Sequence, residues 1–184
     1  ETVECLLNGE MPVEQPYIRS WSKEVYRGVT QKLTKENIEL IADGCTLTNC
    51  SLSCNEKGMF LSNYGLETFG IIHIREDKVV GGAEFMPSIN VPYDIPKDKN
   101  TAFLTCLYHS SEANDYKTYP LEELEKQLNS TFTRLIAITD EIGSFPNGDL
   151  KWFEERGYVD LGLISVEENY CKLHLVSKEL KKTC

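Results

Sequence analysis

"GDLKWFEERGYVDLG", residues 148–162, reads as a short amphipathic helix that stops at a glycine and runs at once into a strand. Asp149 stands where a first-turn or N-cap acid can accept backbone N–H groups. Leu150, Phe153 and the flat face of Trp152 make an apolar stripe, with Glu154, Glu155 and Arg156 read as the water-facing side. Gly157 can take the left-handed conformation that ends a helix. Any α/β protein can own such a unit, so its meaning depends on what lies upstream.

Upstream the periodicity alternates between helix and strand. Residues 33–44, "LTKENIELIADG", read as a helix with Thr34 as N-cap, Asn37 at the third helical position, Ile38 and Ile41 in register and Gly44 as the stop. "MFLSNYGLETFGIIHIRED" becomes β-branched and ends in charges, and "KVVGGAEFMPSI" resumes as a strand, which predicts a hairpin turning at Glu76 and Asp77. "VPYDIPKDKN" is a proline-punctuated loop. "TAFLTCLYHS", residues 101–110, reads as a buried strand, "PLEELEKQLNST" as a helix with Pro120 in its first turn, and "FTRLIAITD" as a second buried strand. After the opening helix, "YVDLGLISVEE" and "YCKLHLVSKEL" are two strands joined by a turn at residues 167–169. Leu104, Leu107, Leu135, Ile136, Ile138, Phe153 and Leu161 are the expected core.

A chain of 184 residues that is 41% hydrophobic supplies one ordinary core. Residues 1–28, with Pro12, Pro16 and little periodicity, read as an arm or the tail of a preceding module, and residues 29–184 as the folded domain. The balance of 29 acids against 19 bases, a net charge of −10, argues against nucleic acid and anionic membrane as partners. No apolar run reaches the roughly 20 residues of a spanning helix, and the opening residues lack the pattern of a secretion signal. Seven cysteines are an odd number, and so much core-forming sequence does not fit a disulfide scaffold, so a reducing, cytoplasmic setting is expected. Two N-x-S/T sequons, at Asn49 and Asn129, are the signal that opposes it.

The element order of hairpin, strand, helix, strand, helix and final hairpin resembles the GNAT acetyltransferase superfamily over residues 29–180. "VVGGAEFMPS" is similar to that family's third strand, "TAFLTCLYHS" to its fourth, "LEELEKQLNSTFTRLIAIT" to the helix and strand that follow, and "WFEERGYVDLG" to its Phe-Tyr-Glu-Lys-x-Gly-Phe ending. The resemblance implies a mixed α/β fold with a mostly antiparallel central sheet flanked by helices. It also implies acetyl-CoA as acyl donor and a small-molecule or peptide amine as acceptor.

That family's chemistry asks for three things. A splayed fourth strand offers backbone groups to the pantetheine arm, and Leu107, Tyr108 and His109 hold that place beside Cys106. A Gly-rich basic loop before the next helix cradles the pyrophosphate. This chain departs from the pattern there with "SSEANDYKTYP": Asp115, Lys117 and Tyr119 replace glycines, Glu112 and Asp115 add negative charge, and Lys117 is the remaining basic candidate. An acid–base pair manages protons, and with Phe153 where a tyrosine is common, Glu84, Tyr108 and His109 are the candidates. His73 and His174 lie in strand patterns and are read as structural.

Three readings follow from these residues. The first is an acyl-CoA-dependent N-acyltransferase. The second is a GNAT-shaped module that has lost CoA binding and serves a ligand, a partner protein or a preceding domain. The third, a metal or redox sensor, rests on Cys45, Cys50 and Cys54 in "CTLTNCSLSCNEKG", whose gaps are wide for zinc and which lack a nearby histidine; free thiols rank first there, then a disulfide using Cys50 or Cys54, then metal.

Overall fold

The computed structural model describes residues 24–42, 59, 63–109, 114–143, 147–168 and 170–180. The hairpin read at Glu76 and Asp77 joins β2 (Gly70–Arg75) to β3 (Lys78–Pro87). Both turn residues take positive φ, 51° and 60°, as a two-residue turn compatible with strand twist requires. β1 (Val29–Leu33) pairs antiparallel with β2. β4 (Thr101–His109), α1 (Thr118–Leu128), β5 (Arg134–Asp140), α2 (Leu150–Glu154), β6 (Val159–Glu167) and β7 (Cys171–Glu179) then follow in the expected order.

The seven strands form one sheet in the order β1-β2-β3-β4-β5-β7-β6. Every pairing is antiparallel except β4 with β5. One face carries Leu104, Leu107, Leu135 and Ala137 under Leu121, Leu124 and Leu128 of α1 and Trp152 and Phe153 of α2. The opposite face carries Ile72, Phe103, Tyr108, Ile136 and Ile138 with Leu33, Ile38 and Ile41. Six of the seven expected core residues are buried, and Leu161 is the exception at 52% exposed. β6 is the sheet's last strand, and Leu161 is the extra residue of a bulge where the register with β7 jumps from Asp160 to Gly162. A bulged edge residue has no second strand to cover it.

Two helices differ from their sequence reading. Leu33 ends β1, paired with Gly70 and fully buried, so the helix expected from residue 33 is a turn followed by a 3-10 helix at Ile38–Ala42. Thr34 caps as read, its Oγ1 accepting from the Glu36 amide at 3.3 Å, and Asn37 Oδ1 in turn accepts from the Thr34 amide at 2.7 Å. In α2, Asp149 is the N-cap and accepts from the Trp152 amide at 2.7 Å, and Gly157 sits at φ +83°. Arg156 does not face water. Its guanidinium lies 3.8 Å from the Trp152 ring centroid and turns inward to Thr118 and Asp115.

Gly44 and Cys5, Cys45, Cys50, Cys54 and Cys184 lie outside the described residues, and with them the metal and disulfide readings. Among the described residues, Cys106 and Cys171 are not in disulfides, and no group of three or more metal-ligating side chains occurs. No described helix is long and apolar enough to cross a membrane.

Candidate active site

β4 and β5 pair only at Thr101–Arg134, Ala102–Leu135 and Phe103–Ile136. Beyond those three positions the strands part, and β4 runs on to His109 with no β5 partner on that side. A parallel pair that opens in this way turns a row of backbone groups into a V-shaped gap. β4 stays paired with β3 along its other edge, where a bulge at Thr105 shifts the register between Glu84–Cys106 and Phe85–Leu104.

That register sorts the sequence-predicted residues onto two faces. Glu84 stands opposite Cys106 and Gly82 opposite Tyr108, and directly paired residues share a face. Glu84, Cys106 and Tyr108 therefore lie together, Glu84 and Tyr108 buried and Cys106 partly exposed. His109 follows Tyr108 in the strand and so points the other way, with Leu107, toward the helices. Strand alternation thus separates His109 from the Glu84 and Tyr108 pair. Two glycines make room here. A Cβ on Gly82 would lie 2.5 Å from the Tyr108 hydroxyl, and one on Gly81 would lie 2.2 Å from the Tyr116 carbonyl oxygen.

At the mouth of the V the start of α1 is closed by its own chain. Asp115 Oδ1 accepts from the amides of Lys117 and Thr118 at 2.8 and 2.9 Å. Its Oδ2 accepts from Thr118 Oγ1 at 2.6 Å and from Arg156 Nη2 at 3.4 Å. Arg156 also donates to Thr118 Oγ1 through Nε and Nη2 at 3.0 and 2.7 Å, and to the Trp152 carbonyl at 3.0 Å. Burial lowers the Arg156 pKa, and Asp115 opposes that shift. Pro120 has no amide proton to donate, and the Leu121 amide closes on the Lys117 carbonyl. Of the helix's leading amides, Tyr119's stands outside this scheme among the described residues.

Lys117 is fully buried. Burial pulls its pKa down to about 7, against the opposing pull of Cys106 and Asp115. A desolvated ammonium loses its charge this way. Asp115 is itself held by residues 24–26, through Asp115 N to the Glu24 carbonyl at 3.0 Å and Tyr26 N to the Asp115 carbonyl at 3.1 Å. Tyr26 stacks on buried His73, whose Nε2 accepts from the Gly28 amide at 3.1 Å. Tyr119 packs edge-on to His73 and under Arg27. Glu112 lies outside the described residues.

Asn147, which the sequence reading did not single out, is buried beside the V. Its Oδ1 accepts from the Leu107 amide at 2.9 Å. The fourth-strand amides expected to stand open therefore include one already engaged. Nearby, Thr139 Oγ1 donates to the Gly148 carbonyl, and the Gly143 amide donates to Asp140 Oδ1 at 2.8 Å, which holds the β5–α2 connection against the strand end.

The chain superposes on solved acetyltransferases over most of its length. A GNAT-family acetyltransferase from Streptococcus pneumoniae matches with a TM-score of 0.60 at 11% identity, covering 83% of this chain and 99% of that one. The fold is that of the GNAT acetyltransferases. A ribosomal-protein-alanine N-acetyltransferase from Brucella melitensis matches at 0.59 and 15% identity, over 83% of this chain and 100% of its own. An aminoglycoside 6'-N-acetyltransferase solved with coenzyme A matches at 0.61 and 17%, over 85% and 99%. No family model and no curated protein sequence matches the chain. The GNAT fold is carried here by architecture at very low sequence identity.

Proposed function

We propose that the chain is an acyl-CoA-dependent N-acyltransferase acting on a small-molecule or peptide amine. The observation that carries the reading is the parting of β4 from β5 after Phe103 and Ile136, next to a face where Glu84, Cys106 and Tyr108 stand together. Acyl-CoA would supply the acyl group as a thioester. Glu84 takes the proton that the amine loses as its nitrogen bonds the acyl carbon. Tyr108 gives a proton to the sulfur as the carbon–sulfur bond breaks, so charge and protons balance.

The residues fit one half of that donor and not the other. Along the V, the amide oxygen of Asn147 already accepts from Leu107 N–H, and an amide carbonyl is the group that a pantetheine arm carries. At the helix start, the Asp115 carboxylate takes the N–H groups that a diphosphate would use. That occupation favours a second reading, a GNAT-shaped module that binds a ligand or partner without CoA.

Calorimetric titration with acetyl-CoA, paired with a thiol-release assay over a panel of amines, separates the two. Saturable binding and amine-dependent thiol release are expected on the first reading. Asn147→Ala, which vacates the Leu107 amide, is expected to tighten acetyl-CoA binding by up to about tenfold, the worth of one hydrogen bond. An absence of binding heat at millimolar acetyl-CoA in both proteins would sink the transferase reading in favour of the second.

A further inference from the structure

Residues 24–28, the described end of the arm, run past the start of α1 and grip it on either side of its first turn. Before the turn the segment makes a short parallel bridge with Asp115, whose N–H donates to the Glu24 carbonyl at 3.0 Å and whose carbonyl accepts from Tyr26 N–H at 3.1 Å. After it, Arg27 holds Glu122 with both guanidinium arms, Nη1 to Oε2 at 2.5 Å and Nη2 to Oε1 at 3.0 Å, and lies over the Tyr119 ring. Between these points the Tyr26 ring stacks on buried His73, meets Tyr116 edge-on and carries Arg75, which donates to the Tyr116 hydroxyl at 2.9 Å. Gly28 follows with its N–H on His73 Nε2, and a Cβ there would run into the Tyr26 ring. The glycine lets that ring fold back onto the histidine. None of these contacts serves the sheet, because pairing of β1 with β2 starts at Val29.

We propose that residues 24–28 are an autoinhibitory clasp, which holds Asp115 on the α1 amides and so closes the helix start to an anion. The inference rests on the acyl-CoA reading above, since a diphosphate is the anion that needs those amides. Asp115 carries both halves of the device. Its carboxylate occupies the Lys117 and Thr118 amides and faces Arg156, while its own N–H and carbonyl are the groups that the clasp grips. With that backbone fixed, the fully buried carboxylate has nowhere else to go. Once the clasp lets go, the whole residue can swing out, and two N–H groups and a guanidinium are left to meet a phosphate in its place. The grip is of moderate strength: Arg27 and Glu122 are 53% and 36% exposed, and an exposed ion pair and a ring stack each change an equilibrium only several-fold. A ligand that binds the open form alone has its affinity reduced by the fraction of molecules that are open. The clasp thus sets how tightly the donor binds.

Hydrogen exchange on the ligand-free full chain reads the clasp, and calorimetric titration with acetyl-CoA reads its consequence. Arg27→Glu, which opposes Glu122, and Tyr26→Ala, which removes the stack, are each expected to speed exchange of the Lys117 and Thr118 amides. Combined, they are expected to tighten acetyl-CoA binding by about tenfold. The Leu124 and Leu128 amides, farther along α1, are expected to keep the parent rates, whereas a general loosening of the helix would move all four. Adding Glu122→Arg to Arg27→Glu re-forms the ion pair and is expected to restore the parent exchange and affinity. If Tyr26→Ala fails to fold, Gly28→Ala displaces the ring in its place. Unchanged exchange at Lys117 and Thr118 overturns the clasp, and so does acetyl-CoA binding of equal strength in parent and variants. Faster exchange with no acetyl-CoA binding in any variant sinks the transferase reading instead, and supports the clasp as the lock on the helix start.

Discussion

Asp115 ahead of α1 and Asp149 ahead of α2 both lend a carboxylate to the backbone N–H groups of the helix that follows, in different surroundings. Asp115 is fully buried, serves two amides and the Thr118 hydroxyl, and faces Arg156. Asp149 is half-buried and serves the Trp152 amide. Burial, with Asp140 and Glu155 nearby, raises the pKa of Asp149, although the Trp152 amide and Lys151 oppose the shift. One helix start is thus welded into the core by a charge-paired network that spans α1, α2 and residues 24–26. The other is an ordinary cap beside a second acid. The α1 side therefore denies two amides and a hydroxyl to an incoming anion, and the α2 side one amide.

The largest expected difference between them appears on truncation. Asp115→Ala leaves Arg156 buried without its carboxylate and two helix amides without an acceptor, a loss of about 3–5 kcal/mol. Asp149→Ala removes one cap bond and is expected to cost about 1 kcal/mol. Urea unfolding of the two variants measures both. Equal losses would break the contrast and mean that the Arg156 network adds nothing to a simple cap.

Lys117, between Asp115 and the first turn of α1, sharpens the contrast through pH. Its folded pKa of about 7 lies below the unfolded value of about 10.4. Above pH 7 the unfolded chain therefore binds a proton that the folded chain does not, and stability rises with pH. Between pH 7 and 9 this group adds about 2–3 kcal/mol. Lys117→Met is expected to flatten that rise in unfolding free energy. An unchanged slope in the variant would mean that Lys117 stays charged inside the protein, paired more strongly than its burial implies.

The strand and helix order was legible because period and turn chemistry agree along the chain. The charged Glu76–Asp77 turn, the Asp149 cap and Gly157 each stand where local rules put them. The shortened first helix was not legible, since Leu33 suits a helix start and a strand end equally and only its pairing with Gly70 decides. Leu161 looked like core because bulges leave no mark in a run of apolar residues. At the site, the sequence supplied Glu84 and Tyr108 but could not separate them from His109 without the register of β3 against β4. Arg156 sat in a helix pattern whose polar side faces water by default, and its inward turn depends on a residue 41 positions away. The D-x-x-T spacing of Asp115 and Thr118 is a readable capping signal, lying in a loop where the family resemblance puts glycines. Asn147 was hidden because Asn-Gly reads first as a turn.

The smallest expected effect belongs to Asp149 and runs opposite in sign to that of Lys117. Its carboxyl is held above the usual value by burial and by Asp140. In the window between its ordinary pKa and the raised one, the folded chain holds a proton that the unfolded chain has lost. The contribution of this group to stability is therefore present at acid pH and falls as pH rises through that window. Partial exposure screens the effect, so it is expected as a shallow downward slope with rising pH on the acid side of neutrality. Asp149→Asn keeps an oxygen that can accept from the Trp152 amide but removes the titration, and the difference in slope between variant and parent isolates the group. A parent that instead gains stability through Asp149 as pH rises across the same window would show that the bond from Trp152 N outweighs burial, and α2 would then be capped by the same charge-stabilised logic as α1.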